Sequence, residues 1–272
     1  MYMLENLTWK ESEEALKKCK TAIIPVGSTE QHGPHLPLGT DFFTAQYFAD
    51  GMVDYDYPAI VTPTLPIGYA TYHGDFGATL CLRESTLEAV LTDICDMLIF
   101  HGIDHILFFN THGGNEQAMS NVCYNLRLKG ITAATYMWFE TIGHLKDEWK
   151  LIGHGDAAET AFVLAYRPEI CDPSKAVRPV NKDLSDTLKL GDMNQVFFKD
   201  VMQVHFQMRV KDVTDNGAML EPSLYPGADH GQWMEGVDPQ MAVDMRKAIL
   251  DLLVEFLPEF EKVTFEPSDA PF

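Results

Sequence analysis

The sequence predicts an α/β fold built on a mostly parallel sheet with helices on both faces. Short apolar runs of strand length recur at residues 21–26, 105–109 and 131–138. Polar loops containing glycine, such as 27–39, 110–115 and 153–156, lead from the apolar runs into helical patterns. Strand, polar loop and helix alternate in this way at least three times, which is how parallel sheets with crossover helices are written in sequence.

The elements follow in order. Residues 9–20 carry a short amphipathic helical pattern, and 21–26 (Thr-Ala-Ile-Ile-Pro-Val) form a buried strand. The loop at 27–39 contains Gly33, Pro34 and Pro37, which forbid a helix there. A helix over 41–52 has Thr40 as its expected N-cap. Residues 59–62 make a second strand, ended by Pro63 and Pro66, and 68–82 an irregular loop. Ser85 and Glu88 have the spacing of a capping box, opening a helix to about His101 with Gly102 as its stop. The continuous apolar strand 105–109 is expected to be buried on both faces. A helix over 116–129 stops at Gly130, and 131–138 is the next strand. After the loop 153–156, a helix runs over 157–165 and breaks at Pro168. The alternation fades over 171–236, which reads as a cap or oligomer-contact segment. Asp238 as N-cap and Pro239 at N1 open a last helix to about Leu257. Its expected core-facing stripe is Met241, Val243, Met245, Ile249, Leu252, Leu253 and Phe256. The 272 residues are expected to form a single domain, 1–272.

Composition narrows the function. Lysine plus arginine number 20 against 40 aspartates and glutamates, a net charge of −20. Such a surface repels nucleic acid and anionic lipid, so neither is an expected partner. No run approaches the roughly 18 apolar residues of a membrane span, and the first residues lack a basic and apolar leader pattern, so a cytoplasmic protein is expected. The five cysteines include no C-x-x-C pair, so any metal must be held by oxygen and imidazole.

Imidazole and carboxylate concentrate at the strand ends. The run 30–41 supplies Glu30, His32, His35 and Asp41, the run 110–115 supplies His112, and 153–160 supplies His154, Asp156 and Glu159. A lone histidine in such a place is usually only hydrogen-bonded. Several such groups, each at a strand-to-helix junction beside glycines, point to zinc, manganese or iron. Gly113 and Gly114 let the backbone pass close to a ligand. No G-x-G-x-x-G follows a strand, which excludes a Rossmann nucleotide site.

The runs 27–41, 110–115 and 154–160 together resemble the creatininase (creatinine amidohydrolase) family. The resemblance implies a three-layer α/β/α sandwich, a centre of two divalent metal ions (Zn, Mn or Fe), amidohydrolase chemistry on a small molecule, and a homohexamer. It implies Glu30, His32, Asp41 and His112 as metal ligands, with Asp41 the bridge, and His154 as the catalytic histidine. Creatininase itself has a carboxylate two residues after the second-loop histidine, where this chain has Gly114; the wider family supplies it from the third motif, matched here by Glu159. Two divalent ions bring four positive charges against the three of Glu30, Asp41 and Glu159, and coordination lowers the pKa of water to about 7. The resulting hydroxide would attack a carbonyl, and His154 would carry a proton to the leaving group.

Further residues carry weaker expectations. His35 is expected to support the ligands from outside the coordination sphere. His73 and Asp75 either touch substrate or cap their loop. His230 and Trp233 lie in a late glycine-rich stretch. Creatinine itself is disfavoured, because the second-loop carboxylate is absent and Trp138 and Trp149 are not in clear register with the family's tryptophan pair. The leading expectation is hydrolysis of a carbon–nitrogen bond in a small cyclic amide or formamide. Its alternatives are C–C opening of a cyclic diketone derived from inositol (3-dehydro-scyllo-inosose type) and a non-catalytic metal-binding scaffold.

Overall fold

A computed structural model of the chain describes residues 1–150, 153–221, 224–225, 233–234 and 236–269. Its centre is a sheet of β1 (Tyr2–Met3), β2 (Thr21–Val26), β3 (Ala59–Val61), β4 (His105–Asn110) and β5 (Thr132–Met137). The strand order is β1-β3-β2-β4-β5, and every pairing is parallel. Side chains of a strand alternate between faces, so a strand buried at every position must have helices on both sides. Ile23, Leu107 and Phe109 enter one core with α2 (Thr40–Met52), α5 (Trp138–Leu145), α6 (Ala157–Tyr166) and α8 (Pro239–Phe260). Ile24, Ile106 and Phe108 enter the opposite core with α1 (Trp9–Leu16), α3 (Glu84–Phe100) and α4 (Glu116–Leu128). This is the expected three-layer α/β/α sandwich.

Topology locates the site. From β2 the chain crosses to β3 on one side, then returns to β4 on the other. The loops after β2 and β4 therefore diverge at a switch point, and the crevice between them lies at the strand carboxyl ends. That crevice holds the runs 30–41 and 110–115.

Several boundaries differ from the sequence expectation for local reasons. The N-cap of α2 is Gly39, and Thr40 is the first helical residue, its hydroxyl donating to Pro37 O at 2.8 Å. Helix α3 starts at Glu84 with Arg83 as N-cap, so Ser85 is already inside the helix and no capping box forms. Glu88 instead accepts from Asn121 Nδ2 on α4 at 2.5 Å. Trp138 ends no strand; it opens α5, which buries Trp138 and Ile142. In α8, Asp238 accepts from Gln240 N as expected for an N-cap. The residues of the buried face there are Ala242, Met245, Ile249, Leu250, Leu253, Leu257 and Phe260, all but Leu250 following a spacing of three and four residues. Val243, Leu252 and Phe256 fall off that face and are about 40% exposed.

The expected cap region has its own small structure. Strands β7 (Leu188–Leu190), β8 (Gln195–Phe198) and β9 (Met202–His205) form an antiparallel sheet, whose Val196 packs with Met208, Val213 and Met219. Strand β9 ends at His205, and Val210 begins the short α7 (Val210–Val213). Strand β10 (Met219–Leu220) pairs antiparallel with β6 (Gly153–His154), Met219 opposite His154. Residues of this region thereby line the crevice above the parallel sheet. Among the described residues, no helix is long and apolar enough to cross a membrane.

Candidate metal centre

Four segments bring seven titratable side chains together, and all but His32 line one cavity of about 660 Å³. Glu30 and His32 come from the loop after β2, Asp41 from the first turn of α2, and His112 from the end of β4. His73 comes from the loop after β3, His154 from β6, and Glu159 from the first turn of α6. Glu30, His32, Asp41, His73 and His112 are all buried.

Their hydrogen bonds define which ring nitrogens face inward. His32 Nδ1 donates to Glu30 O at 3.0 Å, leaving Nε2 to face Asp41 Oδ1 at 3.2 Å and Glu159 Oε1 at 3.7 Å. His112 Nε2 donates to Tyr69 O at 2.9 Å, leaving Nδ1 to face Glu30 Oε1 at 3.1 Å and Asp41 Oδ2 at 3.5 Å. A ring held by one nitrogen on a backbone carbonyl, with the other aimed at carboxylates, is the arrangement of metal-binding histidines. Glu30 Oε1 and Asp41 Oδ2 are buried and have no directed hydrogen-bond partner. Lone pairs thus meet lone pairs, which is stable only with positive charge between them.

Electrostatics lead to the same conclusion. Burial opposes charge on His32, yet Asp41 and Glu159 outweigh it and raise its pKa to about 10. Burial likewise opposes charge on His112, and Glu30 above all raises its pKa to about 9. Burial pushes the Glu159 carboxyl well above its usual range. The cluster draws protons for want of other cations, and divalent ions would supply that charge. The donors form two sets with atoms within 4.8 Å of one another, Glu30–Asp41–His112 and His32–Asp41–Glu159, both using Asp41. A third set, Glu30–His32–His154, meets the same limit. The residues present therefore fit two cations sharing Asp41.

His154 and His73 differ from the two rings above. His154 Nε2 donates to Gln31 O at 2.6 Å, and its Nδ1 stands 3.9 Å from Glu30 Oε1. Burial and the flanking rings of His32 and His73 hold its pKa well below the ordinary imidazole value. The Gln31 amide donates to His73 Nδ1 at 2.7 Å and to Gly217 O at 3.0 Å, while its oxygen accepts from Gly33 N. These partners fix the amide's orientation. His73 then carries its proton on Nε2, which stands 3.1 Å from Glu30 Oε1 without a directed hydrogen bond, so this ring is not a ligand in the neutral form.

The remaining sequence candidates lie elsewhere. His35 Nε2 contacts Thr160 Oγ1 at 3.1 Å and its ring meets Trp233 edge-on, behind the cavity. Trp233 lies in a turn and is buried. Asp75 pairs with Arg209 at 2.6 Å and does not line the cavity. Asp156 is the N-cap of α6, accepting from Ala158 N and Glu159 N, which aims Glu159 inward. His230 lies outside the described residues.

Gly114 has a steric explanation. A Cβ there would stand 2.3 Å from Tyr69 O and Tyr72 Oη and 2.5 Å from His112 Nε2. No carboxylate fits at this position without moving His112. Sequence reasoning missed Gln31, although it lies inside the motif, and Glu221 in the cavity lining; Trp138, not in clear register with the family's tryptophan pair by sequence, also lines the cavity. The indole Nε1 of Trp138 is buried without a partner.

The chain resembles known proteins along most of its length. It is 36% identical over 113 residues to a mycofactocin precursor peptide peptidase of Mycolicibacterium smegmatis, covering 40% of this chain and 45% of that protein. It is 41% identical over 168 residues to the 3-dehydro-scyllo-inosose hydrolase of Thermotoga maritima, covering 61% of this chain and 53% of that protein. The chain thus spans about half the length of these two relatives. Among solved structures, one described as a putative creatinine amidohydrolase from Bacteroides fragilis aligns with a TM-score of 0.71 at 18% identity, over 96% of this chain and 97% of that one. A manganese creatininase aligns with a TM-score of 0.66 at 20% identity, covering 95% and 98%. A zinc–zinc form of a creatininase variant aligns at the same TM-score and 21% identity, with the same coverage. These likenesses show the fold. The family model described as creatininase, creatinine amidohydrolase, matches residues 5–235, and the chain belongs to that family.

Proposed function

We propose that the chain is a metal-dependent hydrolase acting on the carbonyl of a small molecule, with C–N cleavage in a cyclic amide or formamide as the leading reaction. The observation that carries this reading is the pair of donor sets sharing Asp41 on the cavity floor. In this reading Glu30, Asp41 and His112 hold one divalent ion, and His32, Asp41 and Glu159 hold the other. Zinc and manganese, named for the structural neighbours, both suit these ligands. When bound, such ions polarise a carbonyl and lower the pKa of water to about 7.

The chain's own residues supply positioning and proton transfer. His154 is neutral and holds its Nε2 proton on Gln31 O, so Nδ1 takes a proton and passes it to the leaving group. His73 Nε2–H faces Glu30. Trp138 contributes to the wall of the cavity. The segment 171–236 caps the site, and a cavity of about 660 Å³ suits a small ligand. A homohexamer and a cytoplasmic setting complete the proposal.

The test is turnover of lactams, formamides and cyclic ketones by zinc- or manganese-loaded protein. Hydrolysis of a lactam or formamide, lost on chelation, supports the leading reading. Opening only of a cyclic ketone supports the second reading, C–C hydrolysis, which the 41%-identical inosose hydrolase favours. Loaded protein inert on all three classes would count against both.

Two variants separate the assigned roles. Glu159→Gln is expected to leave about one ion of two, because a neutral amide is a poor replacement for a carboxylate ligand. Elemental analysis checks this, and full metal content would remove Glu159 from the ligand set. His35→Ala is expected to keep both ions, with at most the roughly 10–100-fold loss in affinity or activity typical of groups behind a metal centre. Competition with a calibrated chelator measures it.

A further inference from the structure

Gln31 holds the two rings, His73 and His154, that stand beside the candidate ligands. Its backbone carbonyl accepts from His154 Nε2 at 2.6 Å, and its side-chain amide donates to His73 Nδ1 at 2.7 Å. The second amide hydrogen goes to Gly217 O at 3.0 Å, and the amide oxygen accepts from Gly33 N at 3.1 Å. Turning the amide over would set its oxygen against Gly217 O and its NH₂ against the Gly33 N–H, so one orientation alone satisfies these partners. His154 Nε2 also lies 3.0 Å from the amide nitrogen, but it carries the proton it gives to Gln31 O and cannot accept. The backbone admits the amide at a residue without a side chain. Gly217 has φ +89°, and a Cβ there would overlap the Gln31 side chain.

The consequence falls on His73. Its Nε2 and His112 Nδ1 both stand 3.1 Å from Glu30 Oε1. Distance alone would admit either ring to an ion beside Glu30. The proton separates them, because His112 has given its own to Tyr69 O and presents a lone pair, whereas His73 accepts at Nδ1 and presents Nε2–H. We propose that Gln31 is a positioning residue that sets this tautomer and so keeps His73 out of the coordination sphere. The ion beside Glu30 then takes its imidazole from His112 and keeps a position open, as catalytic metal sites do. This rests on the reading of the cluster as the metal centre of a hydrolase.

Isotope labelling of the histidine and glutamine nitrogens tests the proposal. Long-range proton–nitrogen spectra distinguish a protonated ring nitrogen from a lone pair and from a nitrogen bound to zinc, and the His73 signals are those lost in His73→Asn. In zinc-loaded protein, His73 is expected to carry its proton on Nε2, with scalar coupling from Gln31 Nε2 across the hydrogen bond to Nδ1. Gln31→Glu is expected to abolish that coupling and reverse the ring, since a carboxylate accepts where the amide donates. Nε2 then becomes a lone pair or binds zinc. A proton on Nδ1, or zinc on Nε2, in the unaltered protein overturns the proposal, and this result decides even where Gln31→Glu does not fold. A ring still protonated on Nε2 in folded Gln31→Glu overturns it as well. A chain that takes up no zinc overturns the metal centre and this role with it. Zinc uptake with the expected ring but no turnover counts against the hydrolase reading alone and leaves the role of Gln31 standing.

Discussion

Asp41→Asn is expected to empty both halves of the metal centre, taking the content from about two ions per chain to nearly none. Asp41 is the one residue common to both donor sets that its neighbours define. Its Oδ1 faces His32 and its Oδ2 faces His112, so one substitution weakens both positions. An asparagine keeps the size of the side chain and removes its charge. Stability distinguishes metal loss from misfolding. Burial raises the Asp41 pKa and the nearby Glu30 adds to that, against the opposing charge of His32, so a neutral group there costs little in the metal-free protein. Metal-free Asp41→Asn should therefore melt no lower than metal-free unaltered protein, while only the latter gains thermal stability on adding zinc. Retention of one tightly bound ion by the variant would mean that Asp41 serves a single site.

His154→Ala is expected to keep the metal and lose turnover, by roughly 10²–10⁴ in kcat. The ring's anchor on Gln31 O leaves Nδ1 turned toward the cluster, and burial keeps it unprotonated. The 3.9 Å to Glu30 Oε1 also lets His154 join a third donor set. Metal content and kcat measured together separate the two roles. Normal metal with low kcat identifies the proton carrier, whereas loss of an ion identifies a ligand. Near-normal values of both would leave His154 as a loop histidine held by hydrogen bonds.

The fold was legible where the signal is local. The buried strands 21–26 and 105–109 announce themselves by apolar runs, and the glycines and prolines after them forbid any continuation. The convergence of Glu30, His32, Asp41 and His112 was legible for a related reason, since each lies where a parallel strand hands over to a helix, and His154 and Glu159 lie where the antiparallel β6 leads into α6. Contacts between distant residues were not legible. Gln31 meets His73 and Gly217, which are 42 and 186 residues away, and no local pattern encodes either bond. Trp138 sits in an unbroken apolar run whose period does not reveal the change from strand to helix. Val243, Leu252 and Phe256 were misassigned because hydrophobicity alone was read, without the spacing that selects Met245, Ile249 and Leu253. Asp75 resembled a site residue only by its nearness to His73, but its charge is committed to Arg209.

The central claim is a centre of two ions joined through Asp41. Anomalous diffraction from crystals of zinc- or manganese-loaded protein, collected at the metal edge, tests it most directly. Two peaks are expected, one among Glu30, Asp41 and His112 and the other among His32, Asp41 and Glu159, with ligand bonds of about 2.0–2.2 Å. A single peak, or two peaks of which only one is bonded to Asp41, would contradict it.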